Sequence, residues 1–276
     1  MKYINQIYLL DKQSCNKFKG YFQNHSNLVT MKTGLIGAMR EEILLLEHDI
    51  QNLKVHQYGA RKFYEGTIGG KEVVMCLSGW GKVAAASTAT TLINVFNVDQ
   101  LVFIGMAGSL MENLQIGDIV VGDQLIQHDV DLSRLDGFHG IEPPFYKKFR
   151  FPVRQAAQRR ALEAVKQFTY NLHDDKYPNI NKQYRPKIHI GAIGTGDQFV
   201  ASQKGKDKIV ERHPELYCTE MEGAAIGQVA ADYNVPCSVI RIISDNADEE
   251  AHSTFAKFLF EDISKISVEI ARLMFV

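Results

Sequence analysis

A single α/β domain around a mostly buried, mixed β-sheet is the fold class the sequence predicts, and three observations predict it. Short β-rich apolar runs alternate with longer helical segments from residue 31 onward. Glycine stands at the end of nearly every apolar run, and neither an internal repeat nor an interdomain linker breaks the series.

The elements follow in chain order. TGLIGAM (33–39) is a buried strand ending at Gly37, and REEILLLEHDIQNL (40–53) has helical spacing. KFYEGTIGGKEVVMCLSG (62–79) reads as a hairpin turning at Gly69-Gly70. KVAAASTATTLINVF (82–96) is a helix, and QLVFIGMAGSL (100–110) and GDIVVGDQLIQHDVDL (117–132) supply further strands. RQAAQRRALEAVKQF (154–168) is a long helix before a polar, Tyr/Asn-rich loop around 170–186. KIHIGAIGTGDQFV (187–200) is a strand entering a glycine-containing loop. TEMEGAAIGQVAADYN (219–234) is expected to be helical, PCSVIRIIS (236–244) a strand, and 254–276 one closing amphipathic helix.

Residues 1–30 stand apart. Their short apolar patch is interrupted by Asp11 and Lys12 and lacks a small-residue cleavage site, while Met31 reads like a second start. The expectation is an extension over 1–30, flexible or an over-called start, and a domain over 31–276.

Composition excludes several function classes. The 31 Lys plus Arg balance 32 Asp plus Glu without a basic block, so nothing electrostatic recruits nucleic acid or an anionic membrane. No apolar run approaches the ~20 residues of a membrane span. The four cysteines are scattered without metal-ligand spacing, which reads as reduced core thiols in a cytoplasmic protein. A small neutral or zwitterionic ligand fits better, with no metal and no cofactor.

In α/β folds ligands gather where strands end. Here those ends are Gly37-Ala38-Met39, Gly79-Trp80-Gly81, Gly105 to Gly108, Gly194 to Asp197 and Ser244-Asp245. None forms a dinucleotide or P-loop fingerprint. Three carboxylates separate themselves from the solvated ones. Glu42 follows the first strand, in the first turn of a helix, where a surface acid favoured by the helix dipole is the ordinary alternative. Glu222 shares a helical face with Ile226, Val229 and Tyr233, so it is an acid on an apolar side. Asp245 ends an apolar strand, where the alternative is an N-cap of the following turn. Arg241, inside that strand, requires an anionic partner.

The segments GLIGAMREE, SGWGKVAAA, GMAGSL, GDIVV, HDVD, GTGDQFV, EMEGAAIGQVA and VIRIISDNAD stand in an order and spacing that resembles bacterial 5′-methylthioadenosine/S-adenosylhomocysteine nucleosidases of the purine nucleoside phosphorylase superfamily. The resemblance covers nearly all of 31–276. It implies a central mixed, partly barrel-like sheet flanked by helices, and hydrolysis of the bond between adenine and ribose without a cofactor. It further implies Asp245 as the general acid toward the leaving purine and Glu42 as the carboxylate that activates water. Glu222 would bind the ribose hydroxyls beside Met221, Phe199 would stack on adenine, and the Val200 backbone would read its edge. Ala107 and Gly108 would line base and sugar, Met39 and Trp80 would complete the pocket, and Arg241 and Ser244 would position the acids and the water. A homodimer with partner residues near Leu132, Leu135 and Pro143 is implied as well.

The chemistry favours such a set independently. A glycosidic bond breaks through an oxocarbenium-like state, which needs a carboxylate near the sugar and an acid at the leaving group. Phosphorolysis needs cations where this chain offers Glu41, Glu42, a single Arg40 and Met106. A nucleoside-binding protein without chemistry is the alternative from another class. A metal at HDVD (128–131) is disfavoured, because alternate strand residues face opposite ways. Trp80 and Met106 depart from the family pattern, where a small aliphatic residue and a serine are usual.

Overall fold

The computed structural model describes residues 31–131, 149–174, 176–181, 184–258 and 264–276. The extension expected at 1–30 and the partner-contact candidates Leu132, Leu135 and Pro143 lie outside the described residues. The elements are β1 (Thr33–Gly37), α1 (Arg40–Ile43) running into a 3₁₀ segment (Leu44–Asp49), β2 (Gln51–Tyr58), β3 (Arg61–Ile68), β4 (Lys71–Leu77), α2 (Lys82–Asn94), β5 (Gln100–Ser109), β6 (Ile119–Gln127), β7 (Arg150–Pro152), α3 (Gln155–His173), β8 (Ile188–Thr195), α4 (Gln203–Arg212), β9 (Leu216–Glu220), α5 (Gly223–Asp232), β10 (Cys237–Asp245), α6 (Ala251–Phe258) and α7 (Ser264–Leu273).

The sheet runs β10-β6-β8-β9-β5-β1-β4-β3-β2, and β10 also pairs with β5. Five strands therefore close into a ring, from which β1 and the antiparallel β4-β3-β2 extension lead away. Every residue of β5 and β10 is buried, as expected for largely parallel strands covered on both faces. On one side α2 and α5 approach with small residues, Ala85, Ala89 and Ala224 among them, which permits close helix packing. On the other, α3 and α7 contribute Val165, Phe168, Ile266 and Ile270. The described residues thus form the mixed, partly barrel-like α/β fold that the resemblance implies.

Four readings require correction. The helix expected over 40–53 is only α1 and its 3₁₀ continuation, because burying Ile43, Leu46 and Ile50 turns the chain toward the sheet and Gln51 opens strand β2. The segment 219–234 is not one helix. Strand β9 ends at Glu220 and α5 starts at Gly223, so Glu222 lies at a strand-to-helix junction rather than on a helix face. The closing helix is described as two, α6 and α7, with 259–263 outside the described residues. The loop expected from 170 begins later, since α3 continues to His173.

Candidate active site

One cavity of about 390 Å³ opens where β1, β5, β9 and β10 end. Glu42 arrives from α1, Glu222 from the β9–α5 junction and Asp245 from the end of β10, and all three line it. They are only 3%, 5% and 2% exposed, so each carboxyl must be held by hydrogen bonds or carry a proton.

Each is held differently. Glu42 Oε2 accepts from the amides of Ala38 at 2.5 Å and Met39 at 3.0 Å, and Oε1 accepts from Met106 at 3.2 Å. Burial raises its pKa, against the pull of the Arg241 charge and of those amides. Asp245 accepts from Ser244 Oγ at 2.8 Å and from the Ala247 amide at 2.8 Å. Burial raises its pKa too, outweighing those bonds. Ala247 N donates from a backbone at φ +53°, unusual for alanine. Glu222 Oε1 accepts from the Gly81 amide at 2.7 Å, and burial, then the nearby Glu220 charge, push its pKa up to about 8.

Arg241 lies behind the lining. It is 1% exposed, stacks on Phe103 with 3.8 Å to the ring centre, and donates from Nη2 to Glu220. A Cβ on Gly105 would come within 2.5 Å of Glu42 Oε1 and 2.8 Å of Arg241 Nη1, so any side chain there would collide with both groups.

The remaining expected positions converge on the same cavity. Met39 and Met106 line it beside Glu42, Ala107 and Gly108 beside Ser244 and Asp245, and Met221 beside Glu222. Phe199 and Val200 supply a further wall, with Phe199 edge-to-face on Phe255 at 5.6 Å. Trp80 also lines the cavity while remaining 71% exposed, so its indole stands at the mouth.

Sequence reasoning singled out neither Gln198 nor Thr219, which line the cavity, nor three further residues. Glu220 accepts from Thr195 Oγ1, from the amides of Glu222 and Gly223 and from Arg241, which makes it the counter-ion Arg241 required. It stands two residues before Glu222 at a strand end, a spacing that could have revealed it. His252 and Phe255, three apart in α6, also line the cavity.

The α/β ring with buried acids lining one cavity is matched by a known class: residues 32–273 fit the model of the phosphorylase superfamily, to which the chain belongs. Within it the chain sits among the nucleosidases. It is 34% identical over 244 residues to the 5′-methylthioadenosine/S-adenosylhomocysteine nucleosidase of Anoxybacillus flavithermus, covering 88% of this chain and 97% of the relative. It is 35% identical over 232 residues to the aminodeoxyfutalosine nucleosidase of Helicobacter pylori, covering 84% and 92%. The Neisseria meningitidis 5′-methylthioadenosine/S-adenosylhomocysteine nucleosidase, solved with methylthio-immucillin-A, superposes with a TM-score of 0.78 at 32% identity, over 88% of this chain and 97% of that one.

Proposed function

We propose that this protein hydrolyses the N-glycosidic bond of 5′-methylthioadenosine, S-adenosylhomocysteine and related 5′-substituted adenosines, releasing adenine and the 5-substituted ribose. The observation that carries the reading is the convergence of Glu42, Glu222 and Asp245, from three separate elements, on one cavity. Adenine lies against Phe199 and Val200 with Asp245 at a ring nitrogen, and the ribose lies toward Met221 and Glu222. Asp245, whose raised pKa favours the protonated form, gives its proton to the purine as the bond from C1′ to nitrogen breaks. Glu42, as the carboxylate, stabilises the oxocarbenium-like state and takes a proton from the water whose oxygen bonds to C1′. Ser244 holds Asp245, and Arg241, anchored on Glu220, sets the charge around Glu42 and Glu222.

Hydrolysis is favoured over phosphorolysis because no lysine or arginine lines the cavity among the described residues, so a phosphate dianion would be seated beside carboxylates without a counter-charge. A homodimer fits the exposure of Trp80, which lines the cavity, and of its chain neighbour Val83, 71% and 83% accessible. A cytoplasmic setting fits the free, buried thiols of Cys76, Cys218 and Cys237. The test is chromatography of products from methylthioadenosine with and without inorganic phosphate. Adenine with free methylthioribose, independent of phosphate, supports hydrolysis. A phosphorylated sugar sinks hydrolysis, and absence of adenine sinks catalysis.

A further inference from the structure

The HDVD segment finds no place in the chemistry above, yet its side chains are engaged. His128 is buried at 5% exposure, its Nε2 lies 3.1 Å from Thr219 Oγ1, and its ring packs beneath Gly196. Asp129 turns the other way. Its Oδ1 accepts from Lys82 Nζ at 2.6 Å and its Oδ2 accepts from the Asp197 amide at 3.0 Å. Asp197 returns the contact, its Oδ1 accepting from the Lys82 amide at 2.8 Å. Three chain segments are thereby tied in a closed circuit: the turn before α2, the end of β6 and the loop after β8.

Two consecutive amides make that circuit relevant to the cavity. Lys82 N donates to Asp197, and Gly81 N donates to Glu222 Oε1 at 2.7 Å. The Gly81 amide is the hydrogen-bond donor seen on the Glu222 carboxyl among the described residues. Gly81 itself takes φ +88°, and a Cβ there would stand 3.0 Å from Asp197 Oδ1, so this close seating admits only glycine without strain. Shifting Lys82 or Asp197 therefore shifts the group that aims Glu222. The same Asp197 stands two residues before Phe199, which lines the opposite part of the cavity.

The pair is also sheltered. The Lys82 and Asp129 side chains are only 18% and 22% exposed, which separates them from solvent-screened surface pairs. Burial alone would raise the Asp129 pKa, but its bond from Lys82 and that from the Asp197 amide bring it below the ordinary carboxylate value, so it stays charged.

We infer that Lys82, Asp129 and Asp197 form a positioning clasp that holds the Gly81 amide on Glu222 and the Phe199 loop in place together, making discrimination on the sugar hydroxyls depend on residues that touch no substrate. This rests on the reading of Glu222 as the ribose-binding acid. The test compares methylthioadenosine with its 2′-deoxy analogue in wild type, Asp129→Asn, Lys82→Met and the double variant, with thermal melting as the control for folding. Wild type is expected to prefer the 2′-hydroxyl substrate strongly. Each single variant should melt cooperatively, lose roughly 10-fold in kcat/KM for methylthioadenosine, and lose at least ~5-fold of that preference. The double variant should match the singles, because one circuit is cut either way. A uniform loss with the preference intact marks a merely structural role and overturns the clasp, as does a preference within twofold of wild type. Should Asp129→Asn fail to melt cooperatively, Lys82→Gln carries the same comparison. Wild type without adenine release would instead overturn the proposed function.

Discussion

Replacing Glu222 by glutamine should flatten the fall of stability with pH. Glutamine keeps a side-chain oxygen that can accept from the Gly81 amide, so the change removes a titrating group at nearly constant shape. In the folded, ligand-free protein Glu222 has a pKa of about 8 against an ordinary 4.5. Between those values the folded chain holds a proton that the unfolded chain has released, so its contribution is full below 4.5 and disappears as pH rises to about 8. The slope is on the order of 1 kcal/mol per pH unit for one proton, and the wild-type contribution therefore falls by about 3 kcal/mol between about pH 5 and about pH 7.5. At roughly 2–4 °C per kcal/mol for a domain of this size, the variant should gain roughly 6–12 °C on wild type over that interval. Thermal melts of both proteins, ligand-free and at fixed ionic strength, measure it. Glu42 and Asp245 have raised pKa values too, but both remain in the variant, so the difference reports Glu222 together with the effect of its charge on Glu220 and Glu42. Melting temperatures that run parallel with pH would refute the reasoning.

Other expectations concern the chemistry and the assembly. Asp245→Asn and Glu42→Gln should each leave a folded protein that binds adenine but releases it at least ~100-fold more slowly at saturating substrate, and near-wild-type rates would remove the assigned roles. Trp80→Ile should raise kcat/KM for adenosylhomocysteine relative to methylthioadenosine by ~10-fold or more, since the indole lines the mouth; a ratio unchanged within about twofold would free Trp80 of any part in selectivity. Sedimentation at micromolar concentration should show a dimer, and an active monomer would contradict a site shared between chains.

The strands were legible where apolar residues are continuous. β1, β5 and β10 are buried throughout, and the Gly69-Gly70 turn announced the β3–β4 hairpin. β2 was not, because Gln51–Tyr58 has no residue fully buried and only Leu53 and Val55 alternate with polar neighbours, too short a run to separate from the helical spacing before it. α4 buries none of its ten residues, which leaves helix propensity without a core-facing stripe. β9 was hidden because Leu216–Glu220 abuts the sequence that opens α5, and reading 219–234 as one helix passed over the strand end at which Glu220 stands. The acids were readable for a different reason. Carboxylates that interrupt apolar surroundings are costly, and Glu42, Glu222 and Asp245 all prove buried. The spatial meeting of Asp129 with Lys82, 47 positions apart, has no local signature at all.

The ring of strands has a seam. β10 and β5 share eight paired positions, whereas β9 and β5 share two, Gly108 with Thr219 and Ser109 with Cys218, with one further bond from the Leu110 amide to the Tyr217 carbonyl. A closed ring has no outer strand from which to fray, so local opening concentrates at its shortest ladder. That ladder borders the cavity, since Gly108 and Thr219 both face it. A nucleoside bridging them would act as a stitch across the weakest join of the barrel. Amide exchange at Gly108, Ser109 and Thr219 should then slow on adenine binding far more than exchange along β10, and substrate would be a component of the barrel's closure as well as its cargo.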